Sequence, residues 1–140
     1  MSAPRSLCVL ALAACLFAGL PGAALAKKGG AAEPGTHAYS ELIDDLFSAL
    51  PQTFDVSGTN PDGTTYNGSA YLYWDPQDGE LHIEWQVGKD AFMGSGPMIG
   101  GEFIIDWGQQ HPAIYRLGND GNLYGTWANG RGSETLTFAP

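Results

Sequence analysis

The sequence predicts a mainly β protein: an antiparallel up-and-down meander of about eight strands curled into a small barrel, preceded by one N-terminal amphipathic helix. Three observations predict it. From Thr53 to the end, apolar and polar residues alternate with period two in short runs. Asp-Gly dipeptides separate several of those runs, in Asn60-Pro61-Asp62-Gly63, Asp75-Pro76-Gln77-Asp78-Gly79 and Asn119-Asp120-Gly121, where both residues tolerate the positive φ of tight hairpins. Ahead of Thr53, one window of the chain repeats with helical period instead. Consecutive hairpins in a chain of this length make a meander, and curling into a barrel removes its exposed edges.

Taken in order, the chain opens with a targeting pattern. Arg5 supplies a positive n-region, Leu7 to Leu20 form an apolar run, Pro21-Gly22 breaks it, and Ala24-Leu25-Ala26 ends it with small residues. A secretory signal peptide over residues 1–26 is expected, with the mature chain starting at Lys27 in the periplasm or outside the cell. The apolar run falls short of the roughly 20 residues that span a bilayer, so no transmembrane segment is expected in the mature chain. Leu12-Ala13-Ala14-Cys15 resembles a bacterial lipobox and leaves a lipid anchor at Cys15 as the alternative.

Cleavage after Ala26 removes both cysteines, Cys8 and Cys15, so the mature chain has neither a disulfide nor a thiolate with which to bind metal or attack a substrate. The remaining 140 − 26 = 114 residues suit one domain, large enough to bury roughly two thirds of its unfolded surface. They carry five Lys and Arg against fifteen Asp and Glu, a formal charge of −10. Phosphate backbones and anionic lipid surfaces repel such a chain, which excludes nucleic acid as a partner.

Residues 27–35, rich in Lys, Gly, Ala and Pro, read as a flexible linker to a single domain over residues 36–140. Tyr39, Leu42, Ile43, Leu46, Phe47 and Leu50 then fall at helical spacing, with Glu41, Asp44 and Asp45 on the other face and Pro51 beyond the end. Thr36 or Ser40 would cap this helix, whose apolar stripe closes one side of the core. Eight strands follow. Their inward residues are Phe54 and Val56; Tyr66, Gly68, Ala70, Leu72 and Trp74; Leu81, Ile83, Trp85 and Val87; a weakly marked run from Ala91 to Ser95; Phe103, Ile105 and Trp107; Ala113, Tyr115 and Leu117; Leu123, Gly125 and Trp127; and Leu136 with Phe138.

On this alternation the charged and polar strand residues His82, Glu84, Gln86, Asp106 and Arg116 point outward, and the interior is free of acids, bases and metal ligands. No catalytic residue and no cofactor is expected. His37 and His111 sit in linker and loop contexts from which no hydrolytic triad can be assembled, and Gly94-Ser95-Gly96 lacks the outer glycines of a nucleophile elbow. Asp75, Asp78 and Glu80 cluster in one turn and form the candidate calcium site. Trp85, Phe103, Trp107, Tyr115 and Trp127 are the inward aromatics that would receive a small apolar molecule. Tyr71 and Tyr73 alternate with the inner set and form an outward patch suited to a sugar or a protein partner.

Two resemblances attach to these motifs. Leu123-Tyr124-Gly125-Thr126-Trp127, followed by Glu134-Thr135-Leu136-Thr137, resembles the Gly-x-Trp strand of calycin barrels such as avidins and lipocalins. That resemblance implies a calycin-like barrel with a tryptophan packed at one end. The succession Val56 to Gly63, Tyr66-Asn67-Gly68, Trp85, Gly94-Ser95-Gly96, Tyr115-Arg116, Asp120 to Leu123 and Gly125 to Leu136 is similar to small exported bacterial proteins, some of them labelled fibronectin-binding protein. It spans roughly Thr53 to Thr137 and implies an exported β fold without a defined mechanism. The expected function is non-catalytic binding of a small apolar ligand in or at the barrel mouth. The alternative is a surface or envelope protein that holds a macromolecule through outward aromatics and acidic loops. Oligomeric state is left open.

Overall fold

In a computed structural model, which describes residues 33–139, nine antiparallel strands form a nearly closed barrel with one helix. The expected signal peptide, the cleavage after Ala26, the lipid attachment at Cys15 and most of the linker lie outside the described residues. At the end of that linker, Thr36 N donates to Glu33 O at 3.2 Å, and Pro34 is half-buried. Among the described residues no helix is long and apolar enough to cross a membrane.

Helix α1 (His37–Ala49) starts at Thr36, whose Oγ1 accepts a 3.2 Å hydrogen bond from Tyr39 N and satisfies one of the amides a helix start leaves open. It buries Tyr39, Ile43 and Leu46. Phe47 stacks on Trp74 at 4.4 Å between ring centroids and meets Phe103 edge-on at 6.2 Å. The Tyr39 hydroxyl donates to Gly101 O at 2.5 Å and accepts from Leu117 N at 3.4 Å, tying the helix to two strand ends. The helix therefore plugs one end of the barrel.

The strands are β1 (Gln52–Thr59), β2 (Thr65–Asp75), β3 (Glu80–Val87), β4 (Asp90–Gly96), β5 (Met98–Ile99), β6 (Glu102–Ile105), β7 (Ala113–Leu117), β8 (Leu123–Trp127) and β9 (Gly132–Phe138). Their order in the sheet is β4-β3-β2-β1-β9-β8-β7-β6-β5, a meander whose first and last strands pair, Phe54 opposite Phe138 and Thr59 opposite Ser133. The sheet closes where β4 meets the end of β6: Ser95 N donates to Asp106 O at 3.1 Å and Asp106 N to Ser95 O at 2.8 Å. This approach depends on glycine. A Cβ on Gly96 would stand 1.7 Å from Ile104 O, and one on Gly94 would stand 2.6 Å from Asp106 O.

The eight expected strands match eight of these, and the ninth, two-residue β5, carries too short a pattern to read. The Asp-Gly turns form as expected, with φ of +92° at Gly63, +69° at Gly79 and +84° at Gly121. Phe138 is a correction: it is 40% exposed beyond the rim of the barrel, and only its edge packs on Phe54. The core beneath the helix consists of Phe54, Leu72, Leu81, Ile83, Phe103, Ile105, Leu117, Leu123 and Leu136, all at or below 1% exposure.

Candidate functional site

At the end of the barrel opposite the helix, the residue at the centre of the interior is an acid. Glu134 of β9 is 8% exposed and contradicts the expectation of an interior free of acids. Its Oε1 accepts from the Tyr66 hydroxyl at 2.7 Å. Its Oε2 accepts from Trp85 Nε1 at 2.9 Å and from the Tyr115 hydroxyl at 2.5 Å. Trp127 Nε1 donates in turn to the Tyr66 hydroxyl at 3.0 Å. A carboxylate withdrawn from water is tolerable on these terms, because charged acceptors form the stronger hydrogen bonds.

The sheet register explains how one acid gathers these donors. Glu134 lies directly opposite Gly58 on β1 and Gly125 on β8; Gly58 lies opposite Tyr66, and Gly125 opposite Tyr115. Across five strands the row reads Tyr66, Gly58, Glu134, Gly125, Tyr115. Each tyrosine folds its ring over the glycine beside it: a Cβ would lie 2.2 Å from the Tyr66 ring at Gly58 and 2.4 Å from the Tyr115 ring at Gly125. Gly132 stands in the same relation to Trp127, its partner across the β8–β9 hairpin. The glycines make room for rings that would otherwise stand upright in the barrel.

The phenols are locked in their neutral form. Burial first, then the negative charge of Glu134 and the hydrogen bond to it, push Tyr115 well above the ordinary value of 10.0, and the same causes in the same order raise Tyr66.

Above this cluster opens a cavity of about 500 Å³ lined by Tyr66, Trp85, Val87, Phe92, Ala113, Trp107, Tyr115, Trp127 and Glu134, with Asn60, Asp90 and Gln109. Trp107 meets three rings edge-on: Trp85 at 6.4 Å, Phe92 at 6.0 Å and Trp127 at 5.8 Å between centroids. Its Nε1 donates to His111 O at 3.1 Å.

Of the five inward aromatics expected to bind a ligand, Trp85, Trp107, Tyr115 and Trp127 line this cavity. Phe103 does not. It is opposite Tyr115 in the register, yet it packs fully buried against Phe47 under the helix. Strands tilt against a barrel axis by roughly 35–45°, so a row of paired residues climbs from one end towards the other, and the inward face alone leaves depth undetermined.

Tyr71 and Tyr73 face outward as the alternation predicts. Tyr71 is 42% exposed beside a shallow groove that includes Glu84 and Met93, while Tyr73 is stacked on His82 at 4.7 Å. Of the expected calcium trio, Asp75 and Asp78 come together and Glu80 does not. The groups within 4.8 Å of one another are Asp75, Asp78 and His82, whereas Glu80 turns away to accept from Ser95 Oγ at 2.8 Å. Asp78 Oδ2 already bonds His82 Nε2 at 2.9 Å, and two further oxygens cap amides of the same turn, Asp75 Oδ1 that of Gln77 and Asp78 Oδ1 that of Glu80. This turn connects β2 to β3 at the helix end, away from the cavity.

The available sequence signal for Glu134 is its place two residues before Leu136, on the inward parity of β9; the donors that make an inward acid tolerable lie on other strands.

No family model matches the chain, and no curated protein matches it. Among solved structures, a redesigned β-barrel is similar to it at 20% sequence identity and a TM-score of 0.47, over 68% of this chain and 96% of that one.

Proposed function

We propose that this is an exported, non-catalytic binding protein that takes a small, largely apolar molecule into the open end of its barrel. The observation that carries the reading is the cavity of about 500 Å³ walled by Trp85, Trp107, Trp127 and Tyr115, with the buried carboxylate of Glu134 at its floor. Concave, mostly apolar pockets with a few fixed polar groups are where small molecules bind, and aromatic walls supply contact area at low entropic cost. The floor suits recognition better than chemistry. Glu134 is held by three donors, and neutral phenols raised above their ordinary range are poor bases at neutral pH.

Native and denatured mass spectrometry of the protein purified from its own exported fraction tests this, with Trp fluorescence following titration by para-tert-butylbenzyl alcohol. A discrete added mass that leaves on denaturation, or a saturable fluorescence change, is the expected result. A bare chain that does not respond to the probe would overturn it.

One observation favours a second reading, a surface protein that holds a macromolecule: exposed Tyr71 shares its groove with Met93, which is 68% exposed. Retention of such a partner by the wild type and its loss in the folded Tyr71→Ala, Tyr73→Ala variant would favour that reading.

A further inference from the structure

The indole and phenol donors of the cavity are spoken for, and its central acceptor is not. All three indole N–H groups in its wall are committed within the protein: Trp85 to Glu134, Trp127 to the Tyr66 hydroxyl and Trp107 to His111 O. Both phenol hydroxyls in the wall donate to Glu134. What the tryptophans leave for a guest is their π faces, which carry the negative part of the ring quadrupole. Asn60 has an amide proton bound to Thr64 Oγ1, which leaves Gln109, exposed at the rim, as the other side-chain amide.

The acceptor side is unsaturated. A carboxylate offers about four lone-pair positions, and three donors occupy Glu134. Oε2 takes two of them and Oε1 one, so Oε1 keeps a position for a further proton donor. The carboxylates of the lining are Glu134 and Asp90, and among the described residues no Lys, Arg or His lines the cavity. The surrounding field has the same sign: six Lys and Arg stand against fifteen Asp and Glu in the chain, a formal −9. Such a field concentrates cations in a low-dielectric cleft and repels anions.

We propose that the ligand of this cavity is an organic cation, an apolar body bearing an ammonium group that rests on the tryptophan faces and donates to Glu134 Oε1. The inference deepens the binding reading given above and rests on it. A cation over an aromatic face gains most when both are desolvated, and an ammonium donating to a carboxylate adds a charge-assisted hydrogen bond.

Three probes with one apolar body separate the possibilities: para-tert-butylbenzylammonium, para-tert-butylbenzyl alcohol and para-tert-butylbenzoate, titrated into the purified protein at neutral pH with Trp fluorescence and calorimetry as readouts. The expected order is cation, alcohol, benzoate, with the cation about tenfold or more tighter than the alcohol. In Glu134→Gln the cation's advantage over the alcohol should shrink to about the contribution of the π faces, roughly threefold. Should that variant fail to fold, Asp90→Asn at the exposed mouth should weaken the cation by about twofold without affecting the alcohol, an effect that vanishes in high salt. An alcohol that binds as tightly as the cation, or a benzoate that binds tightest, overturns the charge inference and leaves the binding reading in place. Binding by none of the three overturns both.

Discussion

Glu134 of β9 stands opposite Gly125 of β8, and the ring of Tyr115 lies over that glycine to set its hydroxyl 2.5 Å from the carboxylate. The acid, the space beside it and the donor that fills that space are one unit of the sheet.

Deleting the acid should cost more than neutralising it. Glu134→Ala leaves Tyr66, Trp85 and Tyr115 without their acceptor and should lower stability by about 2–4 kcal/mol. Glu134→Gln keeps one acceptor oxygen, and its amide can donate to the Tyr66 hydroxyl, so about 1–2 kcal/mol is expected. Urea titration of both variants checks the order, and an alanine variant as stable as the glutamine one would contradict it.

The two tyrosines should differ in the same way. Tyr115 is 1% exposed, so Tyr115→Phe deprives the carboxylate of a donor that water cannot easily replace, at about 1–3 kcal/mol. Tyr66 is half-buried at the cavity wall, and Tyr66→Phe should cost less because solvent can reach Glu134 Oε1 and Trp127 Nε1. Denaturant midpoints at one pH compare them.

Alkali should unfold the barrel through these phenols. Their folded pKa is raised above the unfolded value near 10.0, so the stability they confer is fully present below that pH. It is lost progressively as pH rises above 10, because the unfolded chain releases the protons first. In a tyrosinate absorbance titration, Tyr66 and Tyr115 should ionise only together with loss of the β circular dichroism signal. Ionisation of both ahead of unfolding would contradict this.

Closure of the sheet should fail at one atom. Gly96→Ala places a Cβ against Ile104 O, so β4 and β6 must separate, at about 2 kcal/mol or more. Two released strand edges invite pairing between chains. Size-exclusion chromatography should show self-association of this variant at concentrations where the wild type shows none.

The helix end should be separable from the site. Phe47→Ala removes the stack on Trp74 and the contact with Phe103, at about 2–4 kcal/mol, and should leave affinity for the aromatic probes unchanged while the protein is folded. A parallel fall in affinity would show that the plug shapes the cavity.

Much of this was legible from residue order. Period two between Thr53 and Phe138, with Asp-Gly at three turns, contains the meander, and the stripe from Tyr39 to Leu46 contains the plug. Four of the five inward aromatics lie in the cavity because strand alternation fixes the face a side chain occupies. Phe103 went to the closed end because alternation is silent on depth, which strand tilt and stagger decide. Glu134 illustrates a different limit. A lone acid on an inward position reads as an interruption of the pattern until the hydrogen-bonding partners from β2, β3 and β7 are known, and those come from pairings up to 68 residues apart.

The pairing of β1 with β9 also sets when the site comes into being. Residues 58 and 134 must meet before Glu134 has a glycine on either side, and closing so long a loop is a late and slow event in assembling a meander. Until β1 and β9 meet, Tyr66 and Tyr115 belong to separate parts of the sheet, with Glu134 beside Tyr115's half alone. A ligand that favoured the finished cavity would therefore act as a clasp on the seam between the two halves.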